Sequence, residues 1–230
     1  IHLANIANDP AAELSPKLTW EVNVLFLNKL ILHAIKYKVK KFIYASSGSV
    51  YGLKKEKRVS ENLSLVPISD YNKSKMIAER ILLSYKDYIS LTIIRPATVC
   101  GYSPRMRLDL SVSLLTMHAL TKGKITVFGG NQTRPNIHMS DMIRVYLHFL
   151  NNNLSGIYNA GFENISILEI AKMVKEIIDV DIDITESNDP RSYRQNSDKL
   201  LDSGFDPKFG VSDGINDVID AYKRNLINDD

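Results

Sequence analysis

Apolar positions recur along this chain in two patterns. Short, nearly continuous apolar runs fall at residues 1–4, 41–46, 90–95, 124–128, 156–160 and 181–185. Runs of this length and density suit strands buried on both faces. Between them lie longer stretches with helical spacing, at 19–38, 70–86, 108–122, 140–150 and 166–179. Near the end, Ile215, Val218, Ile219, Tyr222 and Leu226 form one apolar stripe of a last helix, which reads as core packing. Asn8-Asp9-Pro10, Ser15-Pro16, Pro67, Pro96 and Gly129-Gly130-Asn131-Gln132 punctuate these elements. Ser166 followed by Glu169 is the signature of a capping box opening a helix. The stretch 19–38 is apolar around most of its circumference, so it packs on two sides. A sheet and a neighbouring helix would satisfy it, and so would a second copy of the chain. Strands alternating with helices predict an α/β fold with a mainly parallel sheet. From about residue 100 the elements shorten, which predicts a smaller second part.

Composition narrows the class. With 230 residues, 44% of them hydrophobic, the chain can bury the core of one large domain or one and a half. The net charge of +3 is spread through the chain, so nothing marks a nucleic-acid or membrane partner. The basic run Lys54-Lys55-Glu56-Lys57-Arg58 reads as a solvated loop. A single cysteine, Cys100, excludes an intrachain disulfide and a cysteine metal cage, and it suits a reducing, cytoplasmic location. No metal site is expected. The most apolar stretch, 22–35, contains Asn23, Asn28, Lys29 and His33, which argues against a membrane span. The opening Ile1-His2-Leu3-Ala4 reads as the middle of a strand, so a preceding segment is expected.

Candidate chemistry sits where the second helix begins. Tyr71 and Lys75 are four residues apart and share one helical face. An ammonium beside a phenol favours the phenolate, which turns a weak acid into a general base. The spacing alone favours an ordinary helix start over a catalytic pair. Ser46 and Ser47 follow the 41–46 strand, at the carboxyl end where open α/β sheets bind ligands. A serine-rich turn reads the same way.

Taken in order, these pieces resemble the extended short-chain dehydrogenase/reductase family, in its nucleotide-sugar epimerase/dehydratase branch. The resemblance covers nearly the whole chain. Its markers are Ile1-His2-Leu3-Ala4, Asn23, the run from Phe42 through Ser46-Ser47-Gly48-Ser49 to Val50-Tyr51-Gly52, Tyr71-Asn72-Lys73-Ser74-Lys75, Arg95-Pro96, and Arg134-Pro135-Asn136-Ile137-His138. It implies a Rossmann-like doubly wound parallel sheet lacking its N-terminal strands, at 1–100, and a smaller α/β part at 101–230 that mainly binds substrate, with some segments returning to the first sheet. It implies Tyr71 as acid/base, Lys75 as the group that tunes it and bonds the cofactor ribose, and Ser47 as a partner of the same sugar oxygen. Leu3, Ala4, Ser46 and Pro96 would border the cofactor, NAD, with NADP left open. Thr98, Arg134, Arg191 and Tyr193 would contact the nucleotide-diphosphate sugar. Asn23 would be more structural than catalytic, and His138 a packing residue. A homodimer through helices 19–38 and 70–86 is implied.

The sequence also departs from that family. Its Gly-rich nicotinamide fingerprint is absent from these residues, so this chain by itself is expected to bind a dinucleotide poorly. Sugar 4,6-dehydratases carry an Asp-Glu pair where this chain has Gly48 and Ser49, which turns the expectation away from dehydration. Thr98 stands where many members have asparagine, and Arg105 and Arg107 follow as either phosphate contacts or exposed loop charges. The expected activity is an NAD(P)-dependent nucleotide-sugar epimerase working through a transient keto sugar. A keto-reductase or dehydrogenase with the same triad is the alternative. A non-catalytic nucleotide-binding protein, or an inactive fragment, is the rival of another class.

Overall fold

The structure, a computed structural model, describes residues 1–187 and 192–227. The chain opens with helices α1 (Asp9–Leu14), α2 (Pro16–Trp20) and α3 (Leu27–Lys36), the last two joined by a π-helical turn, Glu21–Phe26. Strand β1 (Lys41–Ala45) runs into a 3-10 turn, Gly48–Tyr51, and helix α4 (Asp70–Ser84) follows. Next come β2 (Ser90–Pro96), β3 (Thr98–Cys100), α5 (Ser111–Lys122), β4 (Lys124–Phe128) and β5 (Thr133–His138). The chain continues through α6 (Met139–Asn151), β6 (Gly156–Ala160), β7 (Glu163–Ser166), α7 (Ile167–Ile177) and β8 (Asp181–Thr185). It ends with α8 (Asp198–Asp202) and α9 (Val211–Lys223).

The organising sheet is β1-β2-β6, parallel throughout. Strand side chains alternate between faces, and both faces are covered. Phe42, Tyr44 and Ile93 pack against Leu27, Ile31 and Leu82 of α3 and α4. Ile43 and Ile94 pack the other way, against Val145 and Phe149 of α6. Helices on both faces of a parallel sheet make the doubly wound α/β arrangement that the alternation of elements predicts. A second core, built from Leu115, Ile125, Ile170, Val174, Val211 and Ile215, joins α5, α7 and α9 to the parallel pair β4-β8. Between the two lies β3-β5-β7, with β5 parallel to β3 and antiparallel to β7.

Several expectations need correction. Residues 1–4 form no strand: His2 makes one isolated parallel bridge to Tyr44, while Ile1 and Leu3 are exposed. The stretch before Pro16 is not all loop, because Asn8 accepts a hydrogen bond from the Ala11 N–H at 2.8 Å and caps α1. The apolar helix begins at Pro16 rather than at 19. By length and composition Pro16–Lys36 would pass for a membrane span, but its Leu27, Ile31 and Ala34 are buried against the sheet and α4. Strands β3, β5 and β7 were hidden by their shortness and by Pro135. Leu226 lies beyond the end of α9 and is exposed, so the core stripe is Ile215, Val218 and Ile219. The capping box is present: the Ser166 hydroxyl accepts from the Glu169 N–H at 3.2 Å, and the Glu169 carboxylate accepts from the Ser166 N–H at 2.9 Å.

Candidate active site

The site forms where β1 ends and α4 begins. After Ala45 the chain turns sharply, with the Ser47 hydroxyl accepting from the Ser49 N–H at 3.2 Å. Gly52 closes the turn at φ +68°, and a Cβ there would lie 1.9 Å from the Val66 carbonyl oxygen. That position therefore needs glycine. Helix α4 starts by design of its sequence: Ser69 caps it, its hydroxyl accepting from the Asn72 N–H at 3.2 Å, and Asp70 sits in the first turn. Tyr71 and Lys75 then occupy the first turns, against the carboxyl end of β1.

Asn23, in the π-helical turn, ties the opening segment to this helix. Its amide group bonds the backbone of Ile6 at 2.9 and 3.0 Å and donates to the Ser74 hydroxyl at 3.0 Å. Ser74 in turn donates to the Tyr71 carbonyl at 2.7 Å. Asn23 thus holds backbone in place, the structural role expected of it. A π-turn at such a point is a common local distortion near functional sites.

Tyr71 is half-buried. Its pKa is pushed up to about 12, first by loss of water around the phenol. A hydrogen bond with Ser47 pulls the other way, Asp9 raises it, Arg107 lowers it and Tyr193 raises it. Lys75 is almost fully enclosed; its ammonium donates to the Ala45 carbonyl at 2.7 Å and sits 4.9 Å above the Tyr44 ring. It lies 5.8 Å from the centre of the Tyr71 ring. Burial lowers its pKa to about 7, against an opposing pull from Glu79. The helical spacing thus brings the two residues together, and burial raises the pKa of Tyr71 and lowers that of Lys75. Desolvation is the largest influence on both residues, and it favours their neutral forms.

Behind these residues lies a buried polar cluster that sequence reasoning missed. Arg95 and Glu79 form a bidentate ion pair at 2.6 and 3.0 Å, with both side chains buried. Arg95 also donates to the Tyr51 hydroxyl at 2.7 Å, and Tyr51 donates to Asn159 at 2.8 Å. The Ser46 hydroxyl donates to Glu79. The Ser46 side chain, expected to border the cofactor, is buried against this ion pair. Gln195 closes the cluster, its amide nitrogen donating to the Arg95 carbonyl at 2.6 Å. The partners are distant in sequence, so no local spacing could have announced them.

The other expected residues are placed as follows. Leu3 and Ala4 are exposed, just past the bridge that joins His2 to Tyr44 beside the Lys75 ammonium. Pro96 ends β2 and Thr98 begins β3; both are half-buried. Arg134 is half-buried on β5 and donates to the Thr133 carbonyl at 3.3 Å. Tyr193 packs on the Val50, Tyr51 and Val59 cluster and is close enough to Tyr71 to influence its titration. Arg191 lies outside the described residues. Arg107 bonds Asp109 at 2.6 and 3.0 Å and acts on Tyr71, whereas Arg105 is exposed. His138 caps α6, its ring accepting from the Ser140 N–H at 3.2 Å, and its other nitrogen lies 3.1 Å from Asp217. It also stacks on Phe209, which is a packing role. Among the described residues, no three metal-ligating side chains come together.

Comparison with known proteins gives a consistent picture. The family model described as NAD dependent epimerase/dehydratase family matches residues 1–161. A Bacillus subtilis (strain 168) protein, described as an uncharacterized UDP-glucose epimerase, is 30% identical over 159 residues, covering 67% of this chain and 50% of that protein. A dTDP-D-glucose 4,6-dehydratase of Bos taurus is 29% identical over 223 residues, covering 90% of this chain and 62% of that protein. The chain therefore spans half to about three-fifths of the length of these curated relatives. The solved UDP-glucuronic acid 4-epimerase of Bacillus cereus, in complex with UDP-glucuronic acid and NAD, superposes with a TM-score of 0.84 at 29% identity, covering 98% of this chain and 75% of that one.

Proposed function

The chain belongs to the NAD dependent epimerase/dehydratase family, and we propose that it carries the acid–base and substrate-holding part of an NAD-dependent nucleotide-sugar epimerase. What supports this reading is the grouping of Tyr71 with Lys75, whose ammonium lies 5.8 Å from the centre of the Tyr71 ring, and with Ser47, close enough to lower the Tyr71 pKa. In this role Tyr71 exchanges a proton with a sugar hydroxyl or keto oxygen, and Ser47 holds that oxygen in place. Arg134 offers a guanidinium fork to the substrate's diphosphate. Gly48 and Ser49 provide no carboxylic acid or carboxylate for eliminating water, so dehydration is disfavoured.

The residues suit NAD. Leu3 and Ala4 leave an exposed edge beside Lys75, and the Tyr44 hydroxyl, the His2 Nε2 and the Asn5 amide are shielded from water without a protein partner. Such orphaned groups fit a site that a polar ligand completes. NAD, when bound, takes a hydride from the sugar carbon and returns it; NADP stays an open alternative. We assign residues 1–100 to the cofactor side and 101–230 mainly to the substrate. A homodimer would use the face of the Pro16–Lys36 helix that exposes Leu18, Leu25 and Leu32. A one-way keto-reductase is the second reading, favoured by the high pKa of Tyr71, because a phenol gives a proton more readily than it takes one.

The test is Tyr71→Phe in the full gene product, assayed on UDP-glucose and UDP-glucuronic acid with NAD. Turnover should fall by roughly 10²–10⁴-fold, with the melting curve little changed. Undiminished turnover would overturn the assignment.

A further inference from the structure

We propose that Gln195 keeps the residue after Ser47 free of any side chain, and so bars a carboxyl group from that place at the end of β1. Gly48 is buried, and its φ lies outside the left-handed region, so backbone geometry does not call for glycine here. What faces it does. A Cβ at Gly48 would lie 2.9 Å from the Gln195 Oε1 and 3.1 Å from the Pro96 carbonyl oxygen. Contacts that short overpack a buried site.

The Gln195 side chain is not free to swing aside. It is 2% exposed, and its amide nitrogen donates to the Arg95 carbonyl at 2.6 Å. Its backbone N–H donates to the Asn164 side chain at 2.8 Å, and its carbonyl accepts from that side chain at 3.1 Å. The residues on either side of it bond the backbone of Val59 at 2.8 and 2.9 Å. Moving the Oε1 away from Gly48 therefore breaks the bond to Arg95. The Oε1 itself is buried and makes no hydrogen bond, so it fills space and offers no donor. An ionised carboxyl group only accepts hydrogen bonds. At position 48 it would start between two acceptor oxygens, neither of which can satisfy it. Gly161 is different: a Cβ there would meet the Ala97 Cβ at 2.5 Å, and the Gln195 Oε1 only at 3.3 Å. For the reaction, this inference rests on the function proposed above: with position 48 closed to carboxyl groups, proton transfer beside Ser47 falls to Tyr71. The closure itself does not depend on that reading.

Thermal melting of the full gene product, without substrate, reads the closure. Every residue but glycine carries a Cβ, so alanine is the smallest probe of the room. Gly48→Ala should lower the melting temperature by roughly 5 °C. In a Gln195→Ala background the same substitution should cost no more than about half of that, because the two sites share the contact. Gln195→Ser, whose side chain is too short to reach Gly48, serves as a second background. Each loss is measured against its own background, since removing Gln195 also takes the bond from the Arg95 carbonyl. Gly161→Ala, blocked first by Ala97, should cost the same with and without Gln195. No loss from Gly48→Ala in wild type, or a loss equal in all backgrounds, overturns the proposal; in the second case the Pro96 carbonyl is the obstacle. An equal relief of Gly161→Ala overturns it too, because removing Gln195 would then loosen the whole region. Turnover of Tyr71→Phe decides the reaction and leaves these melting temperatures untouched, so the two readings fail separately.

Discussion

Lys75 should make the folded chain more stable at pH 9 than at pH 7. Its pKa is about 7 in the folded chain, set first by burial and opposed by Glu79, against an ordinary value of 10.5. Below pH 7 both folded and unfolded chains hold the proton and the burial penalty is constant. Above it, the folded chain has released a proton that the unfolded chain keeps until about pH 10.5, so stability rises with pH by up to about 1.4 kcal/mol per unit. Because release is half complete at pH 7, the gain from pH 7 to 9 is about 2 kcal/mol. Two neighbouring titrations leave this window clear. His2, whose pKa is lowered by burial and then by Lys75, is already neutral. Cys100, pushed up to about 12 by burial, begins to subtract stability only near pH 9, where the unfolded thiol ionises. Urea denaturation of wild type and Lys75→Met at both pH values is the assay. Lys75→Met also loses the bond to the Ala45 carbonyl, so its absolute stability is not the readout; the difference between pH 9 and pH 7 is. That difference should be about 2 kcal/mol larger in wild type. Equal differences in the two proteins would refute a neutralised Lys75.

Other outcomes follow from the same geometry. Glu79→Gln leaves the buried Arg95 guanidinium without its counter-charge and should destabilise the chain by roughly 3–5 kcal/mol in urea denaturation. Arg134→Ala in the full gene product should weaken UDP-glucose far more than NAD in calorimetry; equal weakening of both would misplace the nucleotide site. The exposed Leu18, Leu25 and Leu32 stripe should hold a dimer at micromolar concentration by light scattering, and Leu25→Lys should dissociate it.

What the sequence disclosed was local. Ser69-Asp70 announces a helix start, and the spacing of Tyr71 and Lys75 then follows from helical geometry. The serines after Ala45 stand at a strand end, where a parallel sheet opens its ligand crevice. What stayed hidden depends on residues far apart. Gln195 reaches the Arg95 carbonyl across 100 positions, and Arg95 meets Glu79 only because α4 packs on β2. Ser46 stands next to Ser47 in sequence, yet its hydroxyl goes to Glu79, a partner 33 positions away. Lys75 shows the same limit: a spacing rule supplies the charge, but only the packed fold supplies the burial.

The two pKa values bear on direction. At pH 7 a Tyr71 with pKa about 12 is a phenol, and making the phenolate costs about 7 kcal/mol. Lys75 carries only half a charge at that pH and is bonded to a carbonyl, so it offsets little of this cost. Arg107 lowers the cost but is itself engaged by Asp109. Giving a proton to an oxygen that gains negative charge is therefore the step this chain equips by itself, because a phenol needs no prior ionisation. Taking a proton from a hydroxyl requires added positive charge near Tyr71.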